Sequence, residues 1–268
     1  MTPPGSLAAP IRGRCMLADT WYLFNKYMKI TVRMPMWTLF TLVQPLIWLI
    51  IFGQLFKNIT QLPGFPTSTY IDFFVPGVLI MTVLFGSSWS GVSLLREIQS
   101  GTVDKMLVSP VSRVAIVLSR VLHSTAQVIV QTAIMLAVSW AMGAHLNLIV
   151  SDLGLTMLIV LLLGLCFASV SNGFAIVLQR EEPLVIIGNL MTLPLMFFSS
   201  ALVPTSFMPD WIKYIAMINP VNYAVEAVRA VLVNTPNISH YASSILILIL
   251  FTAAATWWAV AAFNAQRD

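Results

Sequence analysis

Apolar residues fall along this chain in runs of about twenty, broken by short polar punctuation. That is the length a helix rising about 1.5 Å per residue needs to cross roughly 30 Å of hydrocarbon. Six runs are predicted as spanning helices: Met36–Phe56, Phe73–Leu95, Val114–Met142, Leu153–Leu178, Leu184–Val203 and Ser243–Phe263. A helix satisfies its own backbone in lipid, and the short alternating segments of a membrane barrel are missing from the pattern. The third run is longer than a crossing requires, so its first turns carry Arg120 and His123 either to the interface or into a polar crevice.

Residues 15–34 follow another rhythm. Leu17, Trp21, Phe24 and Met28 share one helical stripe, while Asp19, Tyr22, Lys26, Lys29 and Arg33 share another. The segment is predicted as an amphipathic helix along the inner leaflet, with its lysines at the phosphate heads and Trp21 near the interface. Simple anchoring, contact with a partner and lateral substrate entry all fit it. Residues 1–14 form a flexible tail before it, and residues 35–268 form one transmembrane domain. Met34-Pro35 turns the chain between the two, and Gln44-Pro45 marks a kink or a polar edge inside the first span.

Composition agrees with the pattern: 58% of residues are hydrophobic, 9% are charged, and the mean hydropathy is +0.87. That balance excludes a soluble domain and implies an all-helical integral membrane protein. Charge sets the orientation. A cytosolic N-terminus puts Arg12, Arg14, Lys26, Lys29, Arg33, Arg96, Lys105, Arg113, Arg120, Arg180 and Arg267 at or near the inner boundary, leaving Lys57, Lys213 and Arg229 outside. Both termini are then cytosolic. The net charge of +4 is a topology signal, assisted by anionic lipid heads, and not a sign of nucleic-acid binding. No secretory signal is evident at the start. Cys15 and Cys166 lie in unlike environments and are not expected to pair, and His123, His145 and His240 form no metal-binding spacing.

The link Arg96–Arg113 is short and charged, yet Val103, Met106, Leu107 and Val108 give it something to pack with. Gly101 permits a tight bend, Thr102 caps a short helix, Asp104 sits at its positive end, and Pro110 ends it. The segment is either a plain inner loop or a lever docked on a soluble partner. A second inner turn, Gln179-Arg180-Glu181-Glu182-Pro183, is a capping or partner-contact element; paired carboxylates alone do not make an acid–base catalyst.

Polar residues inside the spans need partners. Ser88, Ser90 and Ser93 in the second span and Gln127 and Gln131 in the third either face a polar pathway or join helices by hydrogen bonds. Phe40, Gln44, Trp48, Phe85, Trp89, Gln127 and Gln131 are the candidate pathway residues. Gly164, Ala168, Ser169, Ser171 and Gly173 in the fourth span suit close helix packing. The outer excursion Pro204–His240 is apolar and broken by proline, which predicts short helices over Phe207–Ile218 and Val221–Leu232 dipping into the membrane. Glu226 and Arg229 are spaced to brace the second of these or to recognise substrate.

The chain contains no phosphate-binding Gly-x-x-x-x-Gly-Lys-[Ser/Thr] loop, no dispersed acidic ion path and no nucleophile elbow. ATP-driven transport would therefore draw its energy from another polypeptide. Catalytic activity, cofactor sites and metal sites are not expected here. A secondary transporter and a non-transporting membrane assembly scaffold are the alternative readings.

Over Cys15–Phe263 the arrangement resembles ABC-2 type transporter permeases, in particular the daunorubicin/doxorubicin-resistance and nodulation-export branch. The resemblance is carried by the interfacial helix, the six spans, the Glu97/Gly101-Thr102/Ser109-Pro110 motif and the Asn219-Pro220-Val221-Asn222-Tyr223-Ala224-Val225-Glu226-Ala227-Val228-Arg229 stretch. It implies a multi-pass protein of a bacterial inner or plasma membrane, paired with a second identical or homologous permease and with two ATP-binding subunits that hold ATP and Mg. It also implies that Glu97, Gly101, Thr102, Asp104, Lys105, Met106, Ser109 and Pro110 receive motion from the ATPase, and that the outer helices are re-entrant. Cargo would be an amphipathic lipid, glycolipid, polyketide or drug. Unlike larger members, this chain carries neither a fused nucleotide-binding domain nor a large outer domain.

Overall fold

Helix is the regular structure throughout, and no strand occurs among the described residues of the computed structural model, which are 16–33, 35–61, 65–102, 108, 113–147, 149–233 and 238–265. Nine α-helices are described: α1 (Met16–Arg33), α2 (Pro35–Leu55), α3 (Tyr70–Gln99), α4 (Arg113–Ala141), α5 (Val150–Leu178), α6 (Glu181–Phe197), α7 (Asp210–Ala216), α8 (Pro220–Leu232) and α9 (Ile238–Ala265). Two short 3₁₀ turns, Lys57–Gln61 and Thr205–Phe207, interrupt the connections.

Four stretches are long and apolar enough to cross a membrane: Tyr70–Gln99, Val114–Ala141, Val150–Leu178 and Ala242–Ala265. Of the other two expected spans, α2 passes through Pro45 without a break and holds the shorter apolar stretch Phe40–Leu55. The fifth, α6, has 17 residues and contains Pro194, so it reaches only about 25 Å. It stops at Phe197, short of the expected Val203, because the chain there turns to meet α8.

The core is built around α3 and α5, which pack on each other, with α4 and α8 against both, α9 against α5, and α2 against α3 and α4. Close approach depends on missing side chains. A Cβ on Gly91 of α3 would fall 2.2 Å from the Ser171 carbonyl oxygen of α5, and one on Gly173 would fall 2.2 Å from the Trp258 ring of α9. Hydroxyls add to the seam: Gly91 N donates to Ser171 Oγ at 3.0 Å, and Ser169 lies 3.0 Å from Thr256. Ser169, Ser171 and Gly173 of the fourth run thus sit at close helix contacts, while a Cβ on Gly164 would meet Thr125 and Ser87 at ordinary contact distance.

At the end of the bundle that holds the first turn of α3, polar capping fixes the segments that follow α6. Asn219 caps α8 by accepting from Val221 N at 2.9 Å, while its amide donates to the Leu195 and Phe198 carbonyls at the end of α6. Pro220 takes the first helical position, where no N–H is needed. Asn222 accepts from Ser200 N at 2.8 Å. One face of α8, including Val221, Val225, Val228 and Leu232, is buried against α3, α5 and α9. By contrast α7 and the turn after it leave Trp211, Tyr214, Met217 and Ile218 exposed. Asp72 holds the α4–α5 connection by accepting from His145 N at 2.8 Å.

The face of α1 that meets the protein lies between the two expected stripes. The helix packs on α4 through Asp19, Thr20, Leu23 and Tyr27, while Leu17 and Trp21 of the apolar stripe stay exposed. Both observations suit a helix that lies between protein and lipid: the protein side is stitched by polar groups, and the grease faces outward.

Candidate functional site

At the end of the bundle opposite Asp72, three helices converge on one ion pair. Glu97, in the last turn of α3, pairs with Arg120 of α4 and accepts a hydrogen bond from the Tyr27 phenol of α1 at 3.0 Å. Arg120 also donates to Ser93 Oγ, and its guanidinium sits 4.3 Å from the centre of the Tyr27 ring. The Arg120 side chain is only 5% exposed and that of Glu97 20%. A cation buried to that depth needs a charged partner, so the node ties α1, α3 and α4 together wherever Glu97 goes. A second stitch lies beside it, where Thr31 Oγ1 is 2.7 Å from His123 Nε2. Burial pushes the Tyr27 phenol up to about 12, with the Glu97 charge adding to the rise and Arg120 opposing it.

One turn along, the α5–α6 connection docks on the same end of α3. Gln179 closes α5 in the left-handed region (φ 53°), Arg180 is extended, and α6 begins at once with Glu181. Arg96 grips the Glu181 carboxylate with two bonds of 2.9 and 3.1 Å, and that hydrogen-bonded guanidinium lowers the Glu181 pKa. Gln99 reaches the Gln179 carbonyl at 3.4 Å. Immediately beyond, Gly101 takes φ 67°, the left-handed bend that its sequence position asked for, and the Ser100 and Thr102 hydroxyls are 2.8 Å apart.

Two cavities open between α1, α2, α3 and α4. The polar one, of about 270 Å³, is lined by Tyr27, Thr31, Ser93, Glu97, Arg120 and His123 among others. The apolar one, of about 350 Å³, is lined by Phe40, Val43, Gln44, Ile47, Trp48 and Phe85. Thr41 and Trp89 belong to both walls.

The seven pathway candidates thus gather in one region. Phe40, Gln44, Trp48, Phe85 and Trp89 line the apolar cavity, and Gln127 lines the polar one. Gln131 does something else: it donates to Thr41 Oγ1 at 2.6 Å and joins α4 to α2. The serines divide as well. Ser90 accepts from Asn172 at 2.9 Å, and Ser88 bonds back to Leu84 O at 2.7 Å. Of the residues expected to couple to an ATPase, Glu97, Gly101 and Thr102 stand at the root of the link, whereas Asp104, Lys105, Met106, Ser109 and Pro110 lie outside the described residues. Arg229 turns inward, donating to Ser200 O at 2.6 Å and Phe73 O at 3.4 Å, with the Phe73 ring 4.0 Å away. Glu226 is exposed, and no ion pair among the described residues joins it to Arg229.

Tyr27 and Thr31 are the members of the polar node that sequence reasoning did not single out. The signal was present in spacing: Tyr27 and Thr31 lie one turn apart, as do Arg120 and His123, so each pair shares a helix face. What periodicity could not supply was that these two faces meet.

Comparison with known proteins agrees with this architecture. The family described as ABC-2 type transporter matches residues 18–233. A protein named as a transport permease, ycf38, of Cyanophora paradoxa is 32% identical over 202 residues, covering 74% of this chain and 68% of that one. A protein named as a probable doxorubicin resistance ABC transporter permease, DrrC, of Mycobacterium tuberculosis is 26% identical over 239 residues, covering 88% of this chain and 83% of its own. The daunorubicin resistance ABC transporter permease DrrB1 of Streptomyces coeruleorubidus is 24% identical over 228 residues, covering 84% and 78%.

Proposed function

The chain belongs to the ABC-2 type transporter family, it is a multi-pass membrane protein with a role in transport, and from that premise we propose that it is the permease subunit of an ATP-driven exporter. Separate ATP-binding subunits, carrying ATP and Mg, supply the energy, and a second permease completes the membrane unit. The cargo is an amphipathic lipid, glycolipid, polyketide or drug. In this reading α2 and α6 join the four longer stretches as spans, α7 and α8 are re-entrant outer helices, and both termini lie in the cytosol of a bacterial inner or plasma membrane.

The observation that carries the reading is the construction of the end of α3. A link that transmits force must be rooted in something that does not yield. Here its root is held by Glu97 on Arg120 and Tyr27, and by Arg96 on Glu181, so a push at Gly101-Thr102 moves α1, α4 and α6 together with α3. Glu97 accordingly anchors the lever instead of touching the ATPase, and the contact falls to the residues after Thr102. Orientation has its own support: Arg96, Arg120 and Arg180 gather at this end of the bundle, as positive residues do on the cytosolic side.

The test is reconstitution of the chain with its neighbouring ATP-binding protein in vesicles loaded with a fluorescent amphiphile. ATP should drive net movement, and Gly101→Val, which forces a branched residue into the left-handed bend, should reduce it at least five-fold while assembly stays intact. Full pumping without the ATP-binding protein would overturn the proposal.

A further inference from the structure

The two cavities are chemically opposite and share a wall. On one side stand Tyr27, Thr31, Ser93 and Gln127, groups that hydrogen-bond; on the other stand Phe40, Val43, Ile47 and Phe85, groups that do not. Trp89, 40% exposed, lies at the join. A molecule long enough to occupy both would have a polar head and an apolar tail, in that order from the node toward α2.

Charge narrows the head further. The polar cavity contains one buried cation, Arg120, and one carboxylate, Glu97, already bonded to each other. An anionic head drawn to Arg120 would be repelled by Glu97, and a cationic head would meet the reverse. Arg96 at the rim is matched by Glu181. The rest of the lining is neutral: hydroxyls, an amide and an imidazole. Arg120 itself is 4% exposed and is engaged by Glu97, Ser93 and the Tyr27 ring. An uncharged head leaves that ion pair undisturbed.

We propose that the two cavities are one binding site for an amphiphile with an electrically neutral, hydroxyl-bearing head and an apolar tail. The head rests against Arg120 and the hydroxyl lining, and the tail runs over Trp89 and Phe85 toward Trp48 and Phe40. This deepens the transport reading and rests on it for the occupant to be cargo. The same chemistry belongs to a resident neutral lipid of the bilayer. In either case the occupant touches the arginine that holds Glu97, so occupancy is felt at the root of the lever.

The test is photolabelling of the full chain in phosphatidylcholine nanodiscs with a dodecyl glucoside carrying a diazirine in its tail. Labelling should saturate and map to α2 and α3 peptides containing Trp48, Phe85 or Trp89. Dodecyl sulfate and dodecyl trimethylammonium with the same diazirine should label at least five-fold less. Gln127→Leu should raise the half-saturating concentration about ten-fold, with elution and thermal midpoint unchanged. Should that variant misfold, Trp89→Ala takes its place with the same expectation. Leu190→Ala, on the exposed side of α6, should label as the parent does. Unsaturable labelling, labelling spread over all lipid-facing helices, equal labelling by the charged probes, or insensitivity to both site variants overturns the proposal. Adding the ATP-binding partner and ATP then separates the sources, since cargo label is displaced and resident-lipid label persists. Saturable labelling in a chain that shows no ATP-driven movement would keep the site and remove the transport reading; movement without site labelling would do the opposite.

Discussion

Arg120 is held by three kinds of contact: an ion pair to Glu97, a hydrogen bond to Ser93, and the face of the Tyr27 ring. Losing the arginine strands a carboxylate, so Arg120→Ala should cost on the order of 3 kcal/mol, read as a lowered midpoint in thermal or denaturant unfolding in detergent. Tyr27→Phe removes only a phenol hydroxyl and should cost about 1 kcal/mol. Tyr27 also has a pH signature. Its folded-state pKa is raised, so the stability it gives is complete below the ordinary phenol value and is lost as the pH rises through its own. The dock of α1 should therefore loosen between about pH 10 and pH 12, visible as a change in Trp21 fluorescence that Tyr27→Phe abolishes. Sequence made some of this legible. Burying a charge always demands an answer, which is why Arg120 and His123 were placed at an interface or a crevice; the identity of the answering groups depends on how two helix faces meet, and no spacing within either helix contains that. The same holds for Arg229, whose spacing to Glu226 suited a brace but whose guanidinium found the backbone carbonyls of Phe73 and Ser200 nearer.

Helices α3 and α5 approach closely because of what their glycines omit. Gly91→Val would place carbon where the Ser171 carbonyl already is, and should destabilise by about 1 to 3 kcal/mol by prising the pair apart. Gly154 makes the contrast within α5: nothing lies within 4 Å of a Cβ built there, so Gly154→Ala should stabilise by about 0.5 to 1 kcal/mol through helix propensity alone. Unfolding midpoints of the two variants should move in opposite directions. The long apolar elements were readable because a lipid solvent allows so few backbone solutions. The end of α6 was not, since Asn219 reaches across from another segment to satisfy its last carbonyls, and a helix stop set by a distant side chain leaves little local trace. On α1 the two stripes were legible, but the face that meets the protein, Asp19, Thr20, Leu23 and Tyr27, lies between them, and only the packing of α1 on α4 reveals it.

At the scale of the molecule, the two ends of the bundle are built for different duties. One end is sealed by α8, buried in the core and fastened through Asn219, Asn222 and Arg229. The other gathers arginines, the Glu97 node and the bend at Gly101. Single cysteines at Thr102 and Lys213 should therefore react with an impermeant maleimide from opposite faces of sealed vesicles, Thr102→Cys only from the cytosolic face; labelling of both from one face would remove the topology on which the lever depends.

The connection between α5 and α6 contains no slack, for Gln179 and Arg180 are all of it. Because a helix advances by about 100° per residue, that brevity sets the rotational phase of everything downstream. One alanine inserted after Arg180 should swing Glu181 around the axis and out of reach of Arg96, with the apolar stripe of α6 carried out of alignment by the same step. An elbow of two residues thus works as a keyway, admitting the following helix in a single angular setting.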